Sequence, residues 1–93
     1  MRRVFKYPLP VEDEFALSLP VGAELLAVHA QVVGGTETPM LWALVNESLV
    51  PQTRSFALRG TGHPIEDMDL LRYVGTFQLA GGAFVGHLFE RLA

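Results

Sequence analysis

The sequence predicts an all-β fold, a single-domain antiparallel meander of about seven short strands that forms a small sandwich or barrel. Apolar and polar residues alternate with a period of two along most of the chain, which is typical of half-buried strands. Six prolines and nine glycines are spread over the 93 residues and interrupt every window that could hold a sizeable helix. Because no connection is long enough for a crossover helix, a parallel α/β fold is not expected.

Several segments carry the strand pattern. They are Arg3–Tyr7, Glu14–Leu19, Glu24–Val33, Met40–Val45, Arg54–Gly60, Arg72–Leu79 and Phe84–Glu90. Pro8 and Pro10 follow the first segment and lack amide donors, so this segment is predicted to be an edge strand. The second segment alternates cleanly, and Pro20 with Gly22 predicts a turn after it.

The third segment, Glu24–Val33, is predicted to be a strand, although a helix is the alternative. Residues 23–27 favour a helix by intrinsic propensity, whereas the valines that follow favour a strand. Alternation places Leu26 and Val28 on one face of this strand and Leu25 on the other.

The middle of the chain contains the most apolar segment. Met40–Val45 has no polar residue, and strands of this kind are covered on both faces. Residues 34–39 before it and residues 46–53 after it are predicted to be loops. The Gly60–Pro64 turn is followed by Ile65–Leu71, whose apolar residues three apart predict a short helical turn.

The last two segments are predicted to form a hairpin. Gly81 and Gly82 lie between them and suit a two-residue turn. Alternation places Tyr73 and Phe77 on one face of the first strand. The residues expected to share a face of the second strand are Val85, His87 and Phe89.

The composition is apolar for a chain of this size. Hydrophobic residues make up 49% of the chain and charged residues 18%, against a usual charged fraction of about 25%. A chain this short buries only about 60% of its unfolded surface, so the surplus predicts a second layer supplied by another copy of the chain. The candidate interface residues are Phe5, Tyr7, Trp42, Phe84, Val85 and Phe89.

Charge and cysteine content exclude several classes of function. The net charge of −3 argues against binding to nucleic acid through phosphates, which needs a basic surface. The absence of cysteine rules out disulfides, thiolate metal sites and cysteine nucleophiles. No signal peptide is expected, and glycines break the longest uncharged stretch, so neither a nucleic-acid partner nor a membrane partner is predicted. These features fit a cytoplasmic protein.

One polar cluster could carry chemistry. Its candidate ligand-binding residues are Arg59, Thr61, His63, Glu66, Asp67 and Asp69. A histidine among carboxylates can bind a divalent cation, or act as a general base that a carboxylate orients. The spacing matches no known metal or phosphate motif, so the alternative is a solvated turn whose aspartates cap a short helix. His29 and His87 could form a metal site if their strands faced each other. A single strand histidine is more often a partly buried side chain with one hydrogen bond, so no metal ligand is predicted.

Five stretches together resemble a family of small proteins of about this length, encoded in bacteriophages, prophages and some bacterial genomes, whose function is unknown. They are Val4–Leu9, Leu19–Ala23, Leu41–Val45, Gly60–Pro64 and Tyr73–Leu79. The resemblance implies a single-domain protein, covering residues 1–93, in a phage-like context. It implies no activity, cofactor or catalytic residue. The glycine-rich loop at residues 33–38 departs from the family pattern.

We therefore expect a non-enzymatic homo-oligomeric structural or interaction protein, which would bury an apolar sheet face or the open edge at Val4–Tyr7 against an identical copy or an unidentified protein. The sequence does not favour an enzyme, because no serine lies in a nucleophile elbow. The alternative is a small-ligand or metal-binding module, conceivably hydrolytic, that uses the Gly60–Asp69 loop. No cofactor is expected.

Overall fold

A computed structural model describes residues 1–92 of the chain. Short 3-10 helices lie at Met68–Leu70 and Ala80–Gly82. The strands are β1 (Arg2–Pro8), β2 (Glu14–Pro20), β3 (Glu24–Val33), β4 (Thr36–Asn46), β5 (Pro51–Gly60), β6 (Leu71–Leu79) and β7 (Phe84–Arg91).

The strands form two antiparallel sheets. The first sheet has the strand order β1-β4-β3, and the second has the order β2-β5-β7-β6. The β3–β4 and β6–β7 hairpins pair neighbours in sequence, whereas the other pairings join strands that are separated along the chain. The Cα extents of 39 × 36 × 16 Å fit two layers about 10 Å apart. The predicted antiparallel fold of seven strands is confirmed, as a sandwich rather than a closed barrel. The strands do not follow the predicted meander order, because β1 pairs with β4, β2 with β5 and β5 with β7.

The main core lies between the two sheets. β4 contributes Leu41, Ala43 and Val45, all of them fully buried. Phe56 of β5 and Leu88 of β7 meet them from the second sheet, and they are fully buried as well. These inward positions follow the alternation of the sequence.

The β3–β4 connection is a tight hairpin, so the predicted loop over residues 34–39 is wrong. Val33 pairs with Thr36, and only Gly34 and Gly35 lie between the strands. Both glycines have positive φ, 57° and 80°, as a two-residue primed turn requires. Because glycine adopts this turn without strain, the strands continue up to it.

The other connections also differ from the expected bounds. β5 begins at Pro51, inside the predicted loop over residues 46–53. The helical turn expected over residues 65–71 is a 3-10 helix of only three residues, Met68–Leu70. Leu79 pairs with Phe84, so the last turn contains four residues rather than two.

A β-bulge in β3 changes the face of the residues that precede it. The register with β4 shifts between Leu25 and Ala27. Leu25 consequently packs against the core, whereas Leu26 is 47% exposed. The prediction that Leu26 shares the inner face with Val28 is therefore wrong, because a bulge inserts an unpaired residue and resets the alternation.

A second bulge in β6 has the same effect on Tyr73. The register with β7 shifts between Tyr73 and Gly75. Tyr73 lies 56% exposed on the outer face, whereas Phe77 is only 2% exposed in the core, so the prediction that they share a face is wrong. A Cβ on Gly75 would lie 3.1 Å from the Val28 side chain, so this glycine allows β6 to approach β3 closely.

A buried ion pair lies at the β5–β7 border. Glu90 is 7% exposed and accepts two hydrogen bonds from Arg54, at 2.6 and 2.8 Å. Arg54 also donates to the Ala23 carbonyl at 2.6 Å, and Arg72 donates to Glu90 at 3.0 Å. The hydrogen bonds from Arg54, together with the one from Arg72, hold the pKa of the Glu90 carboxyl below its ordinary value against the effect of burial.

Candidate functional site

The loop between β5 and β6 is held on the outer face of the second sheet. Ile65 packs there against a small cluster formed by Ala57, Leu71 and Phe89. This contact holds the loop against the sheet, and a 3-10 helix of three residues leads from the loop into β6.

Two of the predicted ligand residues, Arg59 and Asp67, belong to an ion-pair network. Arg59 donates to the Glu14 carboxylate at 2.7 Å and to the Asp13 carbonyl at 2.8 Å. Arg91 bridges Glu14 and Asp67, at 2.7 and 2.8 Å. The hydrogen bond from Arg91 holds the pKa of the Asp67 carboxyl below its ordinary value. Asp67 therefore ties the loop to β7, whereas Arg59 links β5 to the start of β2.

Thr61 belongs instead to a chain of hydrogen bonds centred on a histidine. The Thr61 Oγ1 atom lies 2.7 Å from Nε2 of His87, and Thr76 Oγ1 lies 2.9 Å from Nδ1 of the same ring. The Tyr73 hydroxyl extends the chain, 2.6 Å from Thr76 Oγ1. Both ring nitrogens of His87 are thus held by hydroxyl groups on the outer face of the second sheet.

His63 lies beside this chain, above Gly60. A Cβ on Gly60 would come within 3.0 Å of the His63 ring, so glycine is needed for this ring position. An open cleft of about 420 Å³, lined by both residues, separates the Thr61 turn from Phe84 and Val85. Thr61 and His63 therefore line this cleft together, whereas Arg59, Glu66 and Asp67 line a separate open cleft beside Pro64.

The predicted carboxylates do not join that cleft. Glu66 and Asp69 are exposed on the far part of the loop, and Asp67 is paired with Arg91. Within residues 1–92, no group of three or more histidine, aspartate or glutamate side chains is arranged to hold a metal ion. The six candidates thus form three groups. They are Thr61 and His63 at the cleft, Arg59 and Asp67 in the ion-pair network, and Glu66 and Asp69 exposed to solvent.

The two strand histidines lie far from each other. His29 pairs with Met40 on the outer face of the first sheet, where its ring stacks on Trp42 at 4.3 Å. His87 lies on the outer face of the second sheet. The outer faces of a sandwich point in opposite directions, so these two histidines do not form the metal site that the sequence left open.

Sequence reasoning missed Tyr73, Thr76 and His87 as members of one cluster. The pairing of Thr76 with His87 depends on the β6 register, and the bulge at Val74 sets that register. The alternation of β7 placed His87 on one face with Val85 and Phe89, but it gave no partner for the ring.

Four of the six candidate interface residues either pack against the core or belong to the second sheet. Tyr7 and Phe84 pack against the main core, and Phe89 is 6% exposed under Tyr73. Val85 is half-buried beside the Thr61 cleft. Phe5 and Trp42 are the candidates that remain on the surface of the first sheet.

The outer face of β4 is covered only in part, although its apolar sequence predicted cover on both faces. Lys6 of β1 donates to Gln31 of β3 at 2.7 Å. These strands flank β4, so the bond crosses over Met40, which is 4% exposed. Trp42 next to it stays half-buried, since no described strand or helix lies over this face.

The β1 strand is the most exposed strand of the fold. Six of its seven residues are exposed, and the strand makes its extensive contacts within residues 1–92 with β4 alone. Val4 is 54% exposed on the outer face, and Phe5 is 36% exposed on the inner face. The inner-face position of an edge strand is normally covered, so Phe5 marks a gap in the packing of the single chain.

The backbone groups of β1 alternate between β4 and the open side. Leu9 donates its amide to the Pro39 carbonyl at 2.9 Å, in the same register as the β1–β4 pairing. Hydrogen-bonded pairs recur at every second residue, so Phe5 and Tyr7 bond to β4. The amides of Val4 and Lys6 consequently point to the open side of the strand.

The charges of β1 are partly engaged within the chain. Arg3 pairs with Glu47 at 2.6 Å, and Lys6 bonds to Gln31. Pro8 is one of the residues whose backbone faces outward, where its lack of an amide costs nothing in the single chain. The open edge therefore combines free backbone groups with two exposed apolar side chains.

None of the helices in residues 1–92 is long and apolar enough to cross a membrane. Neither the curated proteins nor the solved structures include a match to the chain. A family model described as a domain of unknown function, DUF7352, matches residues 1–93. The chain, with its seven-stranded sandwich, its open β1 edge and its His87 cluster, therefore belongs to the DUF7352 family.

Proposed function

We propose that the protein is a non-enzymatic interaction module that assembles with a second copy of itself through the open edge of β1. The observation that carries this proposal is the exposure of β1 on both faces, with Val4 at 54% and Phe5 at 36%. A second β1 strand alongside it would satisfy the outward backbone groups of Val4 and Lys6 and cover both side chains.

Symmetry supports a second copy as the occupant. Most soluble homo-oligomers use a two-fold interface, in which one surface pairs with itself. An antiparallel pair of β1 strands meets this condition and joins two three-stranded sheets into one six-stranded sheet. The partly covered face around Trp42 would then be continuous across both copies.

Static light scattering on the purified protein tests the proposal. The expected mass is twice the 10.2 kDa of the chain at high micromolar concentration. The variant Val4→Pro removes an outward amide without touching the β1–β4 ladder, so it should be folded and monomeric. Val4→Ala keeps the amide and serves as the matched control, which should remain dimeric. A wild-type protein that stays monomeric at these concentrations overturns the proposal.

A second candidate function is the binding of a small polar ligand at the Thr61 cleft. It is favoured by the hydroxyl–histidine chain, since His87 offers its ring nitrogens to two hydroxyl groups within 2.9 Å. A panel of sugars, nucleotides and carboxylates, followed through backbone amide shifts, tests this candidate. Shifts confined to residues 60–63 and 82–87, and lost in His87→Phe, would support it; an unchanged spectrum with the whole panel would leave the β1 interface as the function.

The biological setting is part of the proposal. We place the protein in a bacteriophage or prophage genome, acting in the host cytoplasm or associated with the virion, without a nucleic-acid or membrane partner. The net charge of −3 supports the absence of a nucleic-acid partner. Genes for virion assembly beside its gene would favour a structural role, whereas replication or host-takeover genes would favour a regulatory one.

A further inference from the structure

We propose that two copies pair their β1 strands in the antiparallel register that sets Phe5 directly opposite Phe5 of the second copy. This inference rests on the proposed β1 interface and adds its register and its central contact. It follows from the backbone directions, the strand length and the charges of β1.

The backbone directions restrict the register first. Arg2, Val4, Lys6 and Pro8 direct their backbone groups away from β4, as the hydrogen bond between Leu9 and Pro39 indicates. In an antiparallel ladder, outward-facing residues must lie opposite outward-facing residues. Even-numbered residues of one copy therefore pair with even-numbered residues of the other, and neighbouring registers differ by a slide of two residues.

The length of the strand favours one of these registers. β1 runs from Arg2 to Pro8, so Phe5 is its middle residue. Placing the two-fold axis at Phe5 pairs every residue of the strand, whereas each slide of two residues leaves two of them unpaired at an end.

The charges select the same register. A slide in one direction sets Lys6 opposite Lys6 of the second copy, and a slide in the other sets Arg2 opposite Lys6. A further slide in the second direction sets Arg3 opposite its own counterpart. Like charges directly opposite each other destabilise a sheet, so these alternatives are disfavoured.

No like charges face each other in the register centred on Phe5. Val4 lies opposite Lys6, and Arg3 lies opposite Tyr7, whose ring can accept a cation on its face. The two Phe5 residues form a pair without mutual hydrogen bonds, because their amides bond to their own β4 strands. In such pairs the Cα atoms are closest, about 4.5 Å apart, which brings the two exposed rings into contact.

Single-cysteine variants can read this register directly, because the chain has no cysteine of its own. The four variants are Arg3→Cys, Val4→Cys, Phe5→Cys and Lys6→Cys. In the register centred on Phe5, only the cysteines at position 5 lie within disulfide distance. The cysteines at position 4 would be diagonal neighbours about 7–8 Å apart, beyond the usual span.

Each variant is oxidised mildly at a concentration at which light scattering shows the wild-type dimer, and circular dichroism confirms that it is folded. We expect most of the Phe5→Cys protein, and little of the other three, to run as a covalent dimer on a non-reducing gel.

A dimer that crosslinks at position 3, 4 or 6 instead overturns the register and leaves the β1 interface intact. A scattering dimer in which none of the four positions crosslinks overturns the register and points to another surface. A wild-type monomer overturns the proposed function itself, so the two failures are distinguishable.

Discussion

Replacement of Glu90 by glutamine tests whether the buried ion pair stabilises the sandwich. Removing one partner of a buried pair costs about 3–5 kcal/mol, because the other charge is left without its counter-ion. Three features reduce this figure. Glutamine keeps the volume and one acceptor oxygen, Arg54 keeps its bond to Ala23, and Arg72, at 63% side-chain exposure, can return to water. We expect Glu90→Gln to lower the free energy of unfolding by about 2–3 kcal/mol at pH 7.

The difference between wild type and Glu90→Gln should also depend on pH. The pKa of the Glu90 carboxyl is lowered in the folded state by its hydrogen bonds to Arg54 and Arg72. A group whose pKa falls on folding stabilises the native state fully above its unfolded pKa, here about 4.3. The advantage of the wild type is then lost as the pH falls through the lowered folded pKa. It should be clearly smaller at pH 3 than at pH 7.

Urea unfolding at fixed protein concentration, at both pH values, measures these differences. Glu47→Gln is the matched control, because Glu47 pairs with Arg3 at 2.6 Å but both side chains are about half exposed. Its cost should stay below about 1 kcal/mol. If Glu90→Gln costs no more than Glu47→Gln at pH 7, or costs as much at pH 3 as at pH 7, the reasoning about the buried pair is refuted.

Two further substitutions test the packing. Gly86→Ala places a Cβ 2.6 Å from Cζ of Phe77 and should lower the free energy of unfolding by about 1–3 kcal/mol; a melting temperature equal to that of the wild type would contradict this close approach. Ile65→Ala removes the contact that fixes the β5–β6 loop on the second sheet, so we expect a loss of about 1–2 kcal/mol and faster proteolysis within residues 60–69. Cleavage rates unchanged in that loop would show that the ion pairs of Arg91 hold it without Ile65.

Local alternation in the sequence predicted much of the fold, but not the strand pairing. It placed Phe56 and Leu58 inward because β5 alternates regularly there, and both are buried in the core. It misplaced Leu26 and Tyr73, because a bulge depends on how two strands pair and leaves no mark in the sequence of one strand. The pairing of β1 with β4 is likewise set by packing between distant segments.

The candidate site was predicted less completely than the fold. The sequence marked Thr61 and His63, since glycines and polar residues are concentrated in their turn. It did not associate Thr61 with His87, which is 26 residues further along the chain. The sequence marked Phe5 as a candidate interface residue, but it did not show that this side chain lies on the inner face of the first sheet.

Amide hydrogen exchange in β1 tests the proposed edge pairing most directly. The amides of Val4 and Lys6 point to the open side, whereas those of Phe5 and Tyr7 bond to β4 and serve as internal controls. We predict that exchange at Val4 and Lys6 slows as the protein concentration rises, while Phe5 and Tyr7 stay protected throughout. Rapid exchange at Val4 and Lys6 at every concentration would contradict the pairing of two copies through β1.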